Sequence, residues 1–304
     1  MIKKVARSLL KQLLGVYTIH SVKMILTPFN EIQQLLSEKI PLKLFEKLPA
    51  KWEKVGDVLT IVLQSEFNNY KELIGKNYAK VLCCKTVLND IGGIKGEFRK
   101  PKVEIIFGQK NTITIHKENG IRFKLNPQKI MFSSGNLKER KRMANISNKK
   151  ETVVDLFAGI GYFTLPIAVY SKPKKIIACE KNKVAYDFLC ENIVLNDVTN
   201  IVKPMKGDSR KIAPKNIADR VIMGYIHNTY RFLSTAINCL KNNCGIIHYH
   251  DVYPDENVPE KPLKIVDKEA KKNNCKFKIL KYQKVKSYAP GIGHFVFDIK
   301  IDKK

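Results

Sequence analysis

The chain has 304 residues, 44% hydrophobic and 27% charged, a balance that excludes a disordered or fibrous polypeptide and leaves room for two packed domains. Lysine and arginine outnumber aspartate and glutamate 55 to 28, and the net charge of +27 points to a polyanionic partner. No apolar run reaches bilayer length, and the seven cysteines are odd in number and lack a CxxC pair, which excludes a membrane span, a disulfide framework and a zinc ribbon. Such cysteines are expected to be free thiols in a cytoplasmic protein.

In chain order, residues 1–16 carry a basic start and a short apolar stretch. Lys11 interrupts that stretch and no small-residue cleavage site follows, so it reads as a frayed amphipathic helix in an N-terminal extension, 1–40, rather than a signal peptide. Met24 is a second candidate start. A helix is predicted over 29–39, with Pro41 stopping it. Residues 41–133 read as a small α+β domain on the RNA side. Its strands are expected at 58–63, 79–84, 103–107 and 112–116, its helix at 66–74, and a hairpin turns at Asn119 and Gly120 into 121–125. A basic, helix-like connector spans 134–148.

From 149 to 304 apolar strands alternate with helical periods. Strands are predicted at 152–157, 175–180, 201–206, 220–225 and 245–249, and helices at 162–170, 183–195, 230–241 and 260–272. Two closing strands follow at 277–282 and 294–301. This is the α/β pattern of a doubly wound, Rossmann-like parallel sheet.

Between the first of these strands and its helix stand Asp155, Phe157, Gly159 and Gly161. The glycines allow a tight turn and close approach of a ligand at the carboxyl end of the strand. A dinucleotide loop calls for a third glycine at position 164, where Thr164 stands. Asp155 would repel a pyrophosphate but suits a cationic ligand. The second strand ends in Glu180, placed for ribose hydroxyls, and the third leads to Gly207 and Asp208, placed for a base. Acids after three successive strands match the class I S-adenosylmethionine-binding fold, with S-adenosylmethionine as donor substrate and no metal. His248, His250 and Asp251 are too few and too closely spaced to assign a metal site.

Clusters of cations bear on the polyanion. Arg99, Lys100 and Lys102 form one, Lys138, Lys141 and Arg142 another, and residues 172–175 a third; the first two are expected to face phosphates. Tyr225 and His227 follow the fourth strand. His227 sits where a proton could be shuttled near neutral pH, and Tyr225 where a flipped base could stack.

Two flanking motifs carry a more specific signal. One runs from Phe132 and Ser133 through Ser134, Gly135, Asn136 and Lys138 to Arg140; the other contains Lys286, Ser287, Tyr288, Pro290 and Gly291, then His294 and Asp298. Together with the run from Trp52 to Val58, they resemble the family that joins tRNA (guanine-37-N1)-methyltransferases with the wybutosine-synthesizing transferases, over about 41–301. The methylating branch carries Pro-Arg after the Phe-Ser and an Asn-Pro-type motif after the fourth strand. This chain has Ser134, Gly135 and Asn136 at the first place and Gly224 to His227 at the second, departures that resemble the wybutosine branch. The resemblance implies transfer of the 3-amino-3-carboxypropyl group from S-adenosylmethionine to C7 of 4-demethylwyosine at position 37 of tRNA(Phe), with no obligate protein partner. It also implies donor contacts from Ser133 and Arg140, the latter toward the methionyl carboxylate. Guanine-37 N1-methylation and non-catalytic RNA binding remain the alternatives.

Overall fold

The computed structural model describes residues 27–304. The helix expected over 1–16 lies outside them. Thr27 caps the first helix of the described residues, α1 (Pro28–Leu36), and accepts from the Asn30 amide at 3.2 Å. Glu53–Val55 (β1) folds back on Val58–Ile61 (β2) through Gly56, whose φ of +58° and contact with Thr114 leave no space for a β-carbon. β2 pairs in parallel with Thr86–Lys95 (β3), and helix α2 (Lys71–Val81) makes the crossover. β3 then turns antiparallel into Lys100–Gly108 (β4), giving a sheet ordered β1-β2-β3-β4.

Two differences from the sequence reading stand out here. Residues 79–84 are no strand: Ile74 and Tyr78 recur at helical spacing in α2, which runs to Val81 before Cys83 turns at φ +50°. Also, Ile32 and Leu36 of α1 pack among Leu59, Ile74 and Tyr78, so this helix belongs to the small domain's core.

The hairpin of Thr114–Glu118 (β5) and Ile121–Leu125 (β6) turns at Asn119 and Gly120, both at positive φ. Ile121, Phe123 and Leu125 pack into the larger body with Ile160 and Leu189, so this segment joins the catalytic side. Helix α3 (Leu137–Met143) follows as the basic connector.

The larger body is built on a seven-stranded sheet ordered β12-β13-β11-β10-β7-β8-β9. Its members are Thr152–Asp155 (β7), Lys175–Glu180 (β8), Val202–Lys206 (β9), Arg220–Met223 (β10), Gly245–Pro254 (β11), Cys275–Ala289 (β12) and Ile292–Lys303 (β13). β7 to β11 are parallel, and β13 enters antiparallel between β11 and β12. The order reverses between β7 and β10, the switch point at which such sheets open a crevice.

Helix α4 (Lys183–Leu195) is capped by Asn182, and buries Ala185, Phe188, Leu189, Asn192 and Ile193 on one stripe. Asn192 gives its amide to the Ile160 carbonyl at 3.0 Å and accepts from the Lys124 amide at 2.7 Å, tying hairpin and glycine loop to one helix. Helices α5 (Leu233–Cys239) and α6 (Glu260–Lys272) cover the other face, where Leu233, Ile237 and Val266 meet Val221, Ile247 and Phe297.

Candidate active site

A cavity of about 440 Å³ opens at the carboxyl ends of β7, β8, β9 and β10, and the β3–β4 tip of the small domain closes one side. Phe98 and Arg99 of that tip line it, and Glu97 meets Lys181 at 2.7 Å. The floor is the glycine loop. Gly159 holds φ +59°, and a β-carbon there would stand 2.5 Å from the Tyr162 ring. Asp155 closes the loop from beneath: its carboxylate accepts from the Phe157 amide at 3.1 Å and the Thr164 hydroxyl at 2.8 Å. Burial pushes Asp155 up to about 6, with those bonds opposing. The sequence reading set Asp155 and Gly161 against the ligand. Both lie behind the wall and shape the loop, because Thr164 takes the Asp155 oxygen and Gly161, at φ +103°, abuts Leu165.

Glu180 accepts from the Gly159 amide at 2.7 Å and the Asn182 amide at 2.6 Å. Burial raises its pKa while these bonds pull it down, and each oxygen keeps a lone pair for a ligand. Asp208 caps the turn Ser209–Ile212. Arg210 closes on it at 2.5 Å and holds its carboxyl down to about 2. The same cavity has an aromatic wall: Phe157 stacks on Tyr225 at 5.1 Å and meets the edge of Phe232 at 4.7 Å. Two carboxylates beside a flat apolar wall suit a nucleoside.

The opposite end is polar and cationic. Arg140, only 2% exposed, gives two N–H groups to Glu118 at 2.6 and 2.5 Å and a third to the Ser133 carbonyl at 2.9 Å. Its guanidinium lies 4.6 Å from the Phe132 ring centre. Burial alone would raise Glu118, but Arg140 and His116 outweigh it and hold the carboxyl down to about 2. Lys286 gives its ammonium to the Ser133 hydroxyl at 2.7 Å.

At the rim, His227 Nε2 stands 2.8 Å from the Tyr288 hydroxyl. Its amide and that of Thr229 are held by Asp251 at 2.8 and 3.1 Å, so a buried carboxylate fixes this turn, in which His227 and Asn228 both take positive φ. Burial raises Asp251, with the amide bonds opposing. His248 is engaged by Asp298 at 2.6 Å and Arg220 at 2.7 Å, and His250 faces His294 at 3.2 Å, so these groups do not converge on one point.

A model of the TRM5/TYW2 methyltransferase domain matches residues 114–279, and one of the TYW2 N-terminal domain matches 32–112. The chain belongs to the TRM5/TYW2 family. A Methanocaldococcus jannaschii relative named tRNA(Phe) (4-demethylwyosine(37)-C(7)) aminocarboxypropyltransferase is 46% identical over 253 residues, 83% of this chain and 98% of its own. The solved structure of Pyrococcus horikoshii TYW2 in complex with MeSAdo superposes with a TM-score of 0.81 at 41% identity, covering 90% of this chain and 99% of that one. That of Methanocaldococcus jannaschii TYW2 in complex with AdoMet gives 0.70 at 43%, covering 84% and 100%.

The two family models meet at residue 113, where the small sheet ends and the hairpin begins. Within this TRM5/TYW2 frame, the cavity gathers Ser133, Arg140, Phe157, Gly159, Glu180, Asp208, Tyr225 and His227. It also takes Arg99, which the sequence reading had turned toward RNA. Lys100, Lys102, Lys138 and Lys141 are exposed. Arg142 leaves the phosphate-facing set, because its guanidinium turns inward to Glu139 and Asp298, both at 2.7 Å. Sequence reasoning assigned no role to Lys286, Tyr288 or Asn136, although all three lie in its flanking motifs.

Proposed function

We infer that this chain transfers the 3-amino-3-carboxypropyl group of S-adenosylmethionine to C7 of 4-demethylwyosine at position 37 of tRNA(Phe). The carrying observation is the 46% identity, over 98% of its length, to a relative whose name states that activity. The enzyme acts in tRNA modification, and a tRNA is its substrate.

The bound donor supplies a sulfonium whose three carbon substituents are open to displacement, so orientation decides which is transferred. In the reaction, a base-carbon bond forms, a carbon–sulfur bond breaks with its electron pair to sulfur, and the base loses one proton. Glu180 accepts from the ribose hydroxyls, Asp208 from the adenine amine, and Phe157 with Tyr225 walls the nucleoside. Ser133 and Arg140 define the methionyl end. His227, steadied by Tyr288, takes the proton at the rim. Lys100, Lys102, Lys138 and Lys141 meet the tRNA backbone. The seven free cysteines support a cytoplasmic setting, and no obligate protein partner enters this reading.

The test incubates the enzyme with S-adenosylmethionine and tRNA(Phe) carrying 4-demethylwyosine, followed by mass spectrometry of nucleosides and by-products. An aminocarboxypropylated base with matching 5′-methylthioadenosine is expected. A methylated base with S-adenosylhomocysteine overturns the assignment.

A further inference from the structure

A second concavity, of about 800 Å³, lies outside the donor cavity, on the seam between the small sheet and the β5–β6 hairpin. Four lysines from separate segments converge on it: Lys54 of β1, Lys85 ahead of β3, Lys117 of β5 and Lys124 of β6. Their charges are opposed unequally. Lys85 meets Asp57, the one acid of the lining, at 3.2 Å, and Lys124 pairs with Glu191. Lys117 has no carboxylate partner among the described residues. Neither has Lys54, whose ammonium is held by the Leu82 carbonyl at 2.6 Å. A carbonyl orients an ammonium without cancelling its charge, and cations gathered in one concavity build a potential that an anion relieves.

A second observation ties this groove to the donor cavity. His116 lines the groove and packs against Phe132 with ring centres 4.7 Å apart. The Arg140 guanidinium, which lines the donor cavity, lies 4.6 Å from the centre of the same ring. Ser134, next to the cavity's Ser133, gives its amide to Glu53, next to Lys54, at 2.9 Å. One aromatic side chain thus links the two concavities, and a polyanion with one residue in the cavity comes within reach of the groove.

We propose that the groove of Lys54, Lys85, Lys117 and Lys124 is a second contact surface for the substrate tRNA. It takes backbone phosphates near the nucleotide that enters the cavity. Lys54 and Lys117 supply the unopposed charge, and Lys85 and Lys124 widen the positive field. The proposal rests on the reading that a tRNA is the substrate and is independent of which group is transferred.

The experiment measures the affinity of the full chain for labelled tRNA(Phe) over a salt series, with donor affinity followed by calorimetry. The groove variant is Lys54→Met with Lys117→Met, which keeps both stems and breaks no ion pair. Its control removes the same charge from α6, as Lys264→Met with Lys268→Met, exposed residues that line neither concavity. The groove variant is expected to bind tRNA about tenfold or more weakly at low salt, with the slope of log affinity against log salt shallower by roughly two. Arginine at both positions is expected to restore affinity and slope. The control is expected to lose less than about threefold. Unchanged donor affinity reports an intact fold. Equal loss in groove and control variants overturns the proposal, since it reports net charge alone. Undiminished tRNA binding by the groove variant also overturns it, leaving the groove to an acidic protein. So does an equal fall in donor affinity, which reports damage carried across Phe132. A wild-type chain without tRNA affinity sinks the substrate reading and the groove with it, a result distinct from tight binding by both wild type and groove variant.

Discussion

Glu180 does two things at once: it fastens the glycine loop through the Gly159 amide and offers its remaining lone pairs to the cavity. Glu180→Ala is expected to weaken S-adenosylmethionine binding by about 1–3 kcal/mol in calorimetry, and unchanged affinity removes it from the site. Because burial raises its pKa, protonation begins at a higher pH than for an ordinary glutamate. Donor affinity should therefore decline on acidification through that raised pKa, and Glu180→Gln should flatten the profile. Glu118 behaves in the opposite sense. Its folded pKa of about 2 lies below the ordinary 4.5, so the Arg140 pair contributes fully above 4.5 and is lost as pH falls towards 2. Glu118→Ala strands a buried guanidinium, with an expected cost of about 3–5 kcal/mol in denaturant melts at neutral pH. A variant as stable as wild type would show that Arg140 finds another partner.

At the scale of elements, the β3–β4 hairpin covers one side of the cavity as a lid, and its exposed lysines are proposed to meet tRNA. Its tip seals the cavity with Phe98 and Arg99, while Lys100 and Lys102 point their charge to solvent. Reversing Lys100 and Lys102 to glutamate should weaken tRNA binding and reduce its salt dependence without changing donor affinity. Equal loss of donor binding in titrations would indicate a damaged lid instead. The elements of the larger body were legible in the sequence because parallel strands buried on both faces read as apolar runs, and α4 and α6 bury regular stripes. The small sheet was harder. β3 carries Asn89, Asp90, Gly92 and Gly93, residues depleted from strands; Asn89 is held by pairing on both sides, and the glycines fall where the register with β4 shifts between Asp90 and Ile94.

Across the whole molecule, the cavity exists because two bodies meet over a sheet's switch point. The acids at the ends of β8 and β9 were visible from chain order, since strand-end position follows from the alternation. Other features depend on contacts between distant segments, which periodicity does not encode. Examples are the Glu118 partner of Arg140, the Asp298 partner of Arg142 and the arrival of Lys286 beside Ser133. Asp155 and Thr164 were read as departures from a dinucleotide loop, but their hydrogen bond to one another, which turns Asp155 away from the ligand, appears only in three dimensions. The central claim concerns which carbon of the donor reaches the base. It is tested most directly with S-adenosylmethionine labelled separately in the methyl and the carboxyl carbon, and with tRNA(Phe) carrying 4-demethylwyosine. Carboxyl label should enter the tRNA while methyl label leaves with the thioadenosine. Methyl label in the tRNA, or methylation of unmodified guanosine 37, would contradict the assignment.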